Sequence, residues 1–139
     1  MDEKVTDKTF RFELVSPESV LASEDVSMVV VPGEAGDFGV LADHAPLLSS
    51  IRPGVVVVTT PEGTQKKIFV AGGFADVSGS ICAVLAEEAT SIEDLDRAAL
   101  ESELKGLEED LGFSREDAVK TAHINRRIAI TQAKIAAVA

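Results

Sequence analysis

From Thr9 to about Thr90 the apolar and polar positions change with a short period. "TFRFELV" sets Phe10, Phe12 and Leu14 against Arg11 and Glu13, the alternation of a half-buried strand. "EDVSMVVVPG" and "PGVVVVTTPEG" are runs rich in β-branched residues and bounded by Pro-Gly. Such residues suit a pleated surface, and the flanking turn signals set their length. "TQKKIFVAGGFADVSGSICAVLAEE" adds two or three further short strands with glycine-rich breaks. "PEGT" and "VSGS" fit hairpin turns, whose backbone needs the positive φ that glycine supplies. No helical stretch of useful length separates these runs, which argues against a parallel α/β fold. The pattern predicts an antiparallel β-sandwich or barrel of about ten short strands over residues 1–90.

After Ser91 the period lengthens. "SIED" fits a capping box with Ser91 at the N-cap and Asp94 three residues on. Leu100, Leu104, Leu107 and Leu111 then share one helical face, and Gly112 stands where a helix stop is expected. "SRED" at 114–117 repeats the capping pattern and predicts a second helix. In it Ala118, Ala122, Ala129, Ala133 and Ala136 form one stripe, and Ile124, Ile128, Ile135 and Val138 a neighbouring one. The short break predicts an antiparallel two-helix hairpin over residues 91–139, with the small alanines letting the backbones approach. The whole is an α+β chain of two parts. An alanine-rich hairpin buries little apolar area, so it is expected to be a movable element. Uniformly slow amide exchange in the second helix would count against that expectation.

Charge refines the hairpin. Residues 92–113 carry eight acids against Arg97 and Lys105, and residues 114–139 carry five bases against Glu116 and Asp117. An acidic helix beside a basic one is favourable, although exposed ion pairs contribute only about 0–1 kcal/mol each. Over all 139 residues the net charge is −11. That is the wrong sign for nucleic acid or for adhesion to anionic lipid. No apolar run reaches the roughly 18 residues of a membrane span, and the N-terminus lacks a signal core. A soluble, cytoplasmic chain is expected. Its single cysteine, Cys82, sits in the apolar run "ICAVLA" and reads as a small buried hydrophobe.

Little in the chain points to chemistry. The spacing of Gly33, Gly36 and Gly39 is not that of a dinucleotide loop, and no phosphate-binding loop or nucleophile elbow occurs. His44 beside Asp43 is the one acid–base pair, with no nucleophile nominated next to it. His44 and His123 are isolated and do not form a metal-ligand pattern. No catalytic residue and no metal site are expected. For His44 the alternatives are a structural role in its loop and contact with a partner.

"GEAGDFGVLADHAPLLSSIRPG" resembles the signature loop of the epsilon subunit of F-type ATP synthases, whose mitochondrial counterpart is called delta. "FRFELVSPE", "VAGGFADV" and "LAEEA" also match that family, as does the order of strands and helices. The resemblance covers nearly the whole chain. It implies a non-catalytic rotor subunit whose sandwich binds the gamma subunit and rests on the membrane c-ring. In that reading Asp37, Phe38, Val40, Leu41 and His44 belong to the loop facing the ring. The helical hairpin would reach the alpha/beta catalytic hexamer and restrain ATP hydrolysis, with Arg115, Lys120, Arg126, Arg127 and Lys134 as its contacts.

Some relatives bind ATP through a hydrophobic-Asp-x-x-Arg-Ala motif. Here "EDLDRA" supplies Asp94, Arg97 and Ala98, with Glu93 in place of the hydrophobic residue. Asp94, Arg97 and Arg126 are the corresponding candidates for weak regulatory ATP; no cofactor is required. The implied location is peripheral, on the cytoplasmic side of a bacterial inner membrane. Two competing readings are an ATP-sensing module with the hairpin as a lid, and a small enzyme centred on Asp43 and His44.

Overall fold

A computed structural model describes residues 8–139; residues 1–7, part of the first predicted domain, lie outside the described residues. The chain divides between Thr90 and Ser91 into two compact units.

The first unit is built from ten strands: β1 (Phe10–Val15), β2 (Val20–Val26), β3 (Met28–Gly33), β4 (Gly36–Val40), β5 (Leu47–Ile51), β6 (Gly54–Thr59), β7 (Gln65–Val70), β8 (Gly73–Ser78), β9 (Ile81–Ala86) and β10 (Ala89–Ser91). They form one sheet in the order β10-β7-β6-β3-β5-β8-β9-β1-β2, with β4 attached to β3 alone. Alternation decides which side chains point inward. In β1, Phe10, Phe12 and Leu14 are buried while Arg11 is exposed. In β8, Ala75 and Val77 are buried between exposed Phe74, Asp76 and Ser78.

The sheet curls, because Phe12 and Leu14 near one end of the order share a core with Val56 and Val58 near the other. Glu24 of β2 and Lys66 of β7 meet at 3.0 Å, joining strands far apart in that order. Fully burying each such Val, Leu or Phe contributes about 1.5–3 kcal/mol. The turns at "PEGT" and "VSGS" do join hairpins: Thr59 pairs with Gln65, and Ser78 with Ile81. One pair departs from the antiparallel expectation, since β1 runs parallel to β9. Strands some seventy positions apart alternate identically whichever way they run, so the pattern carries no direction.

In the second unit, helices α1 (Arg97–Phe113) and α2 (Ala118–Val138) pack together. Glu103 meets Thr131, and Ser114 meets Thr121, so the helices run antiparallel. The ends fall elsewhere than the capping patterns suggest. Ser91 makes no side-chain cap; a 3₁₀ turn at Ile92–Asp94 follows it, and Asp96 caps α1 through the amides of Ala98 and Ala99. Gly112 stays inside the helix. Ser114 ends α1, its hydroxyl donating to the Leu111 carbonyl, and Asp117 caps α2 through the Lys120 amide.

Leu100 is buried, with Leu104, Leu107 and Leu111 half-buried. The isoleucine stripe is also turned inward, with Ile124 buried and Ile128 and Ile135 half-buried. The alanine stripe is mostly turned out: Ala118, Ala122, Ala129 and Ala136 are exposed, and Ala133 is half-buried. The larger side chains remove more apolar area from water and so decide which face turns in.

Candidate functional site

The β3–β4 hairpin forms a sharply turned edge of the first unit. Gly33 pairs with Gly36 across a two-residue turn, Glu34–Ala35. Gly36 has a φ of 136°, and a Cβ on Gly33 would lie 2.9 Å from the Gly36 carbonyl oxygen and the Phe38 ring. A left-handed backbone and that close approach both call for glycine.

Beyond the turn, β4 points its residues alternately. Asp37 is exposed, Phe38 is half-buried against the core, and Val40 is 1% exposed. Val40 was expected among ring-facing residues; its side chain lies inside the core and offers no surface. Leu41, the next residue, is 56% exposed.

The following loop is fixed by its own contacts. The His44 amide donates to the Leu41 carbonyl at 3.2 Å, and Asp43 takes a φ of 66°. His44 Nδ1 lies 2.6 Å from the Ala45 carbonyl oxygen, which can only accept, so this ring nitrogen is the donor. Asp43 Oδ2 pairs with Lys8 Nζ at 3.4 Å, both highly exposed.

Arg52, between β5 and β6, braces the hairpin. Its Nη1 donates to the Gly33 carbonyl at 2.6 Å and its Nη2 to Asp37 Oδ1 at 2.5 Å. Its amide donates to the Pro32 carbonyl, and the Glu34 amide donates to the Ser50 carbonyl. Asp37 therefore already has a cationic partner within the chain. Sequence reasoning passed over Arg52, since nothing in "SSIRPG" says what an arginine beside a turn will reach. It also passed over Leu48, an exposed leucine on β5.

The hairpin candidates are spread over the second unit. Arg115, Lys120 and Arg126 are exposed. Arg127 Nη2 lies 3.7 Å from Glu103 Oε2, the carboxylate oxygen that also accepts from Thr131 Oγ1 at 3.2 Å. Lys134 is 7% exposed, so in this conformation it is not a surface contact. Asp94 lies in the exposed 3₁₀ turn, and Arg97 pairs with Glu101 at 3.2 Å one helical turn on. The last residue of α1, Phe113, is 91% exposed, and Val119 in the first turn of α2 is also exposed; the sequence reading missed both.

Cys82 is fully buried, and burial, with Asp76 adding to it, pushes its thiol from 9.0 up to about 11. It is an unreactive core residue at neutral pH. Among the described residues no cluster of His, Cys, Asp or Glu could hold a metal ion, and no helix is long and apolar enough to cross a membrane.

Comparison with known proteins places this architecture. Residues 9–92 match the family described as ATP synthase, Delta/Epsilon chain, beta-sandwich domain. An ATP synthase epsilon chain of Rhodospirillum rubrum is 46% identical over 130 residues, covering 94% of this chain and 96% of the relative. One from Bradyrhizobium sp. (strain ORS 278) is 47% identical over 114 residues, covering 82% of this chain and 84% of the relative. In fold, the chain is similar to one in the Euglena gracilis mitochondrial ATP synthase structure of OSCP, F1 and c-ring. There the TM-score is 0.82 at 22% identity, covering 94% of this chain and 82% of that one. A chain of the Tetrahymena thermophila central stalk and c-ring gives a TM-score of 0.56 at 13% identity, covering 92% and 98%. On the extent of these matches and the fold they share, the chain belongs to the ATP synthase epsilon family.

Proposed function

We propose that the chain is a non-catalytic central-stalk subunit that couples a gamma subunit to the c-ring of a proton-translocating ATP synthase. The observation that carries this reading is the shaped edge at Gly33–His44. There a tight turn, an inward Phe38 and a self-bonded loop present Leu41 from a braced scaffold. A part that transmits torque needs a stiff shape and a firm interface rather than a reactive group. The one acid–base pair of the chain is engaged within its own loop and strand entry: His44 Nδ1 on the Ala45 carbonyl and Asp43 on Lys8. The structures with similar chains contain F1, central stalk and c-ring components, which supports the same setting here. In it the chain sits peripherally, on the cytoplasmic side of a bacterial inner membrane.

The hairpin, in this proposal, regulates hydrolysis through exposed bases such as Arg115, Lys120 and Arg126 meeting the alpha/beta hexamer. The test is reconstitution of the rotary complex with the full chain and with a chain ended after Ser91. Proton coupling should survive in both, and ATP hydrolysis should rise in the shortened one. A full chain that fails to associate with gamma or the ring overturns the stalk role. Equal hydrolysis in the two overturns the regulatory one.

No cofactor is required for either role. ATP at Asp94, Arg97 and Arg126 is the weak ligand the lid reading needs. Calorimetry of the full chain with millimolar ATP and Mg²⁺ should then show heat that Arg97→Ala removes; an absence of heat ends that reading.

A further inference from the structure

β4 is a branch of the sheet: it lies off the main strand path and pairs with β3 alone. β3 in turn meets β6 only at residues 28–30, and meets β5 only where Gly33 pairs with Ile51. A two-stranded ribbon is marginal in water by itself. Phe38 and Val40 anchor the far half of β4 in the core, but Gly36 and Asp37 carry no buried side chain. The turn end of the ribbon must be held some other way.

We propose that Arg52 is the positioning residue of this edge, locking the turn end of the β3–β4 hairpin and thereby setting the direction in which its tip, residues 34–37, is presented. Its guanidinium bonds both strands of the ribbon at once, through the Gly33 carbonyl on β3 and the Asp37 carboxylate on β4. Its own backbone is tied to Pro32 at 3.0 Å. The planar fork of an arginine can serve two acceptors in different directions, which a lysine ammonium on one flexible stem does less well. Asp37 is then the receptor of the brace, and its exposure does not mark it as a free acid. The inference rests on the reading of this edge as the docking surface, which gives its stiffness a use.

The test begins with the full chain alone, by residue-resolved hydrogen exchange. Arg52→Ala should speed exchange of the amides at 36–40 about tenfold relative to those of β8 and β9. Asp37→Asn should speed the same amides by about threefold, and the double variant should be no faster than Arg52→Ala. Arg52→Lys should fall between wild type and alanine. Asp37→Asn preserves size and leaves Arg52 in place, so it carries the test if Arg52→Ala does not fold.

A rise spread equally over β8 and β9, additive effects in the double variant, or a change below about twofold at 36–40 would each overturn the assignment. In a second arm, purified c-ring is titrated with each variant. Arg52→Ala should bind about tenfold more weakly, with Arg52→Lys recovering part of the loss. If wild type does not bind the ring, the docking reading fails by itself, and the exchange result still judges Arg52.

Discussion

Replacing Gly73 with alanine should unfold much of the first unit, whereas the same change at Gly72 should only strain it. Both glycines have left-handed backbones, with φ of 99° at Gly72 and 125° at Gly73. Forcing a side chain there costs about 1–3 kcal/mol in either case. The surroundings differ. A Cβ on Gly72 would find the Glu87 carboxylate at 3.5 Å and the Ile51 carbonyl oxygen at 3.7 Å, ordinary contacts.

A Cβ on Gly73 would lie 2.0 Å from the Leu85 carbonyl oxygen, well over an ångström inside ordinary contact. Leu85 is backbone in a ladder, opposite Phe74 on one side and Val15 on the other, so relief means parting β8 from β9. Overpacking adds about 1–3 kcal/mol and each lost ladder bond about 1 kcal/mol. With one ladder bond lost, the total for Gly73→Ala is therefore about 3–7 kcal/mol, against roughly 5–15 kcal/mol for a whole domain. Gly72→Ala should cost only the strain, about 1–3 kcal/mol.

The chain has no Trp or Tyr, so fluorescence is a poor reporter. Urea titration followed by the methyl resonances of the buried Val56, Val77 and Val84 reads the first unit directly. Midpoints for the two variants within about 1 kcal/mol of each other would refute the argument, since they share the strain and differ in the clash.

Removing either helix cap, by Asp96→Ala or Asp117→Ala, should cost about 1 kcal/mol and fray the first turn of that helix, seen as faster exchange at 98–100 or 119–121. Thr131 is fully buried and donates to Glu103, so Thr131→Val should leave that carboxylate short of a partner and destabilise the helix pair by about 1 kcal/mol in urea unfolding. Cys82 should resist thiol reagents at neutral pH in the folded chain and react on unfolding. Its folded pKa is raised, so its contribution to stability is complete below 9.0 and is lost as pH rises toward about 11. Cys82→Ala should therefore flatten the loss of stability over that alkaline window.

The sequence alone separated a strand-rich part from a two-helix part, because alternation and the i, i+4 recurrence report burial on one side of a local element; β4 and β5, however, fall in the stretch it read as a loop. Phe10, Phe12 and Leu14 could only face one way once the strand formed, and Leu100, Leu104, Leu107 and Leu111 once the helix did. The resemblance to the family lay in the stretch from Gly33 to Gly54 and in the shorter matches "FRFELVSPE", "VAGGFADV" and "LAEEA".

Tertiary structure decided what depends on partners distant in the chain. It ran β1 parallel to β9, and turned the isoleucines inward and most of the alanine stripe out. It passed the helix caps to Asp96 and Asp117, since several acids near each start satisfy the same pattern and only backbone geometry selects among them. It also took Val40 into the core and gave Asp37 to Arg52, two placements that set the character of the β3–β4 edge. A local pattern records how often a residue meets the interior, but the identity of the group it meets is set by the register and curl of the whole sheet.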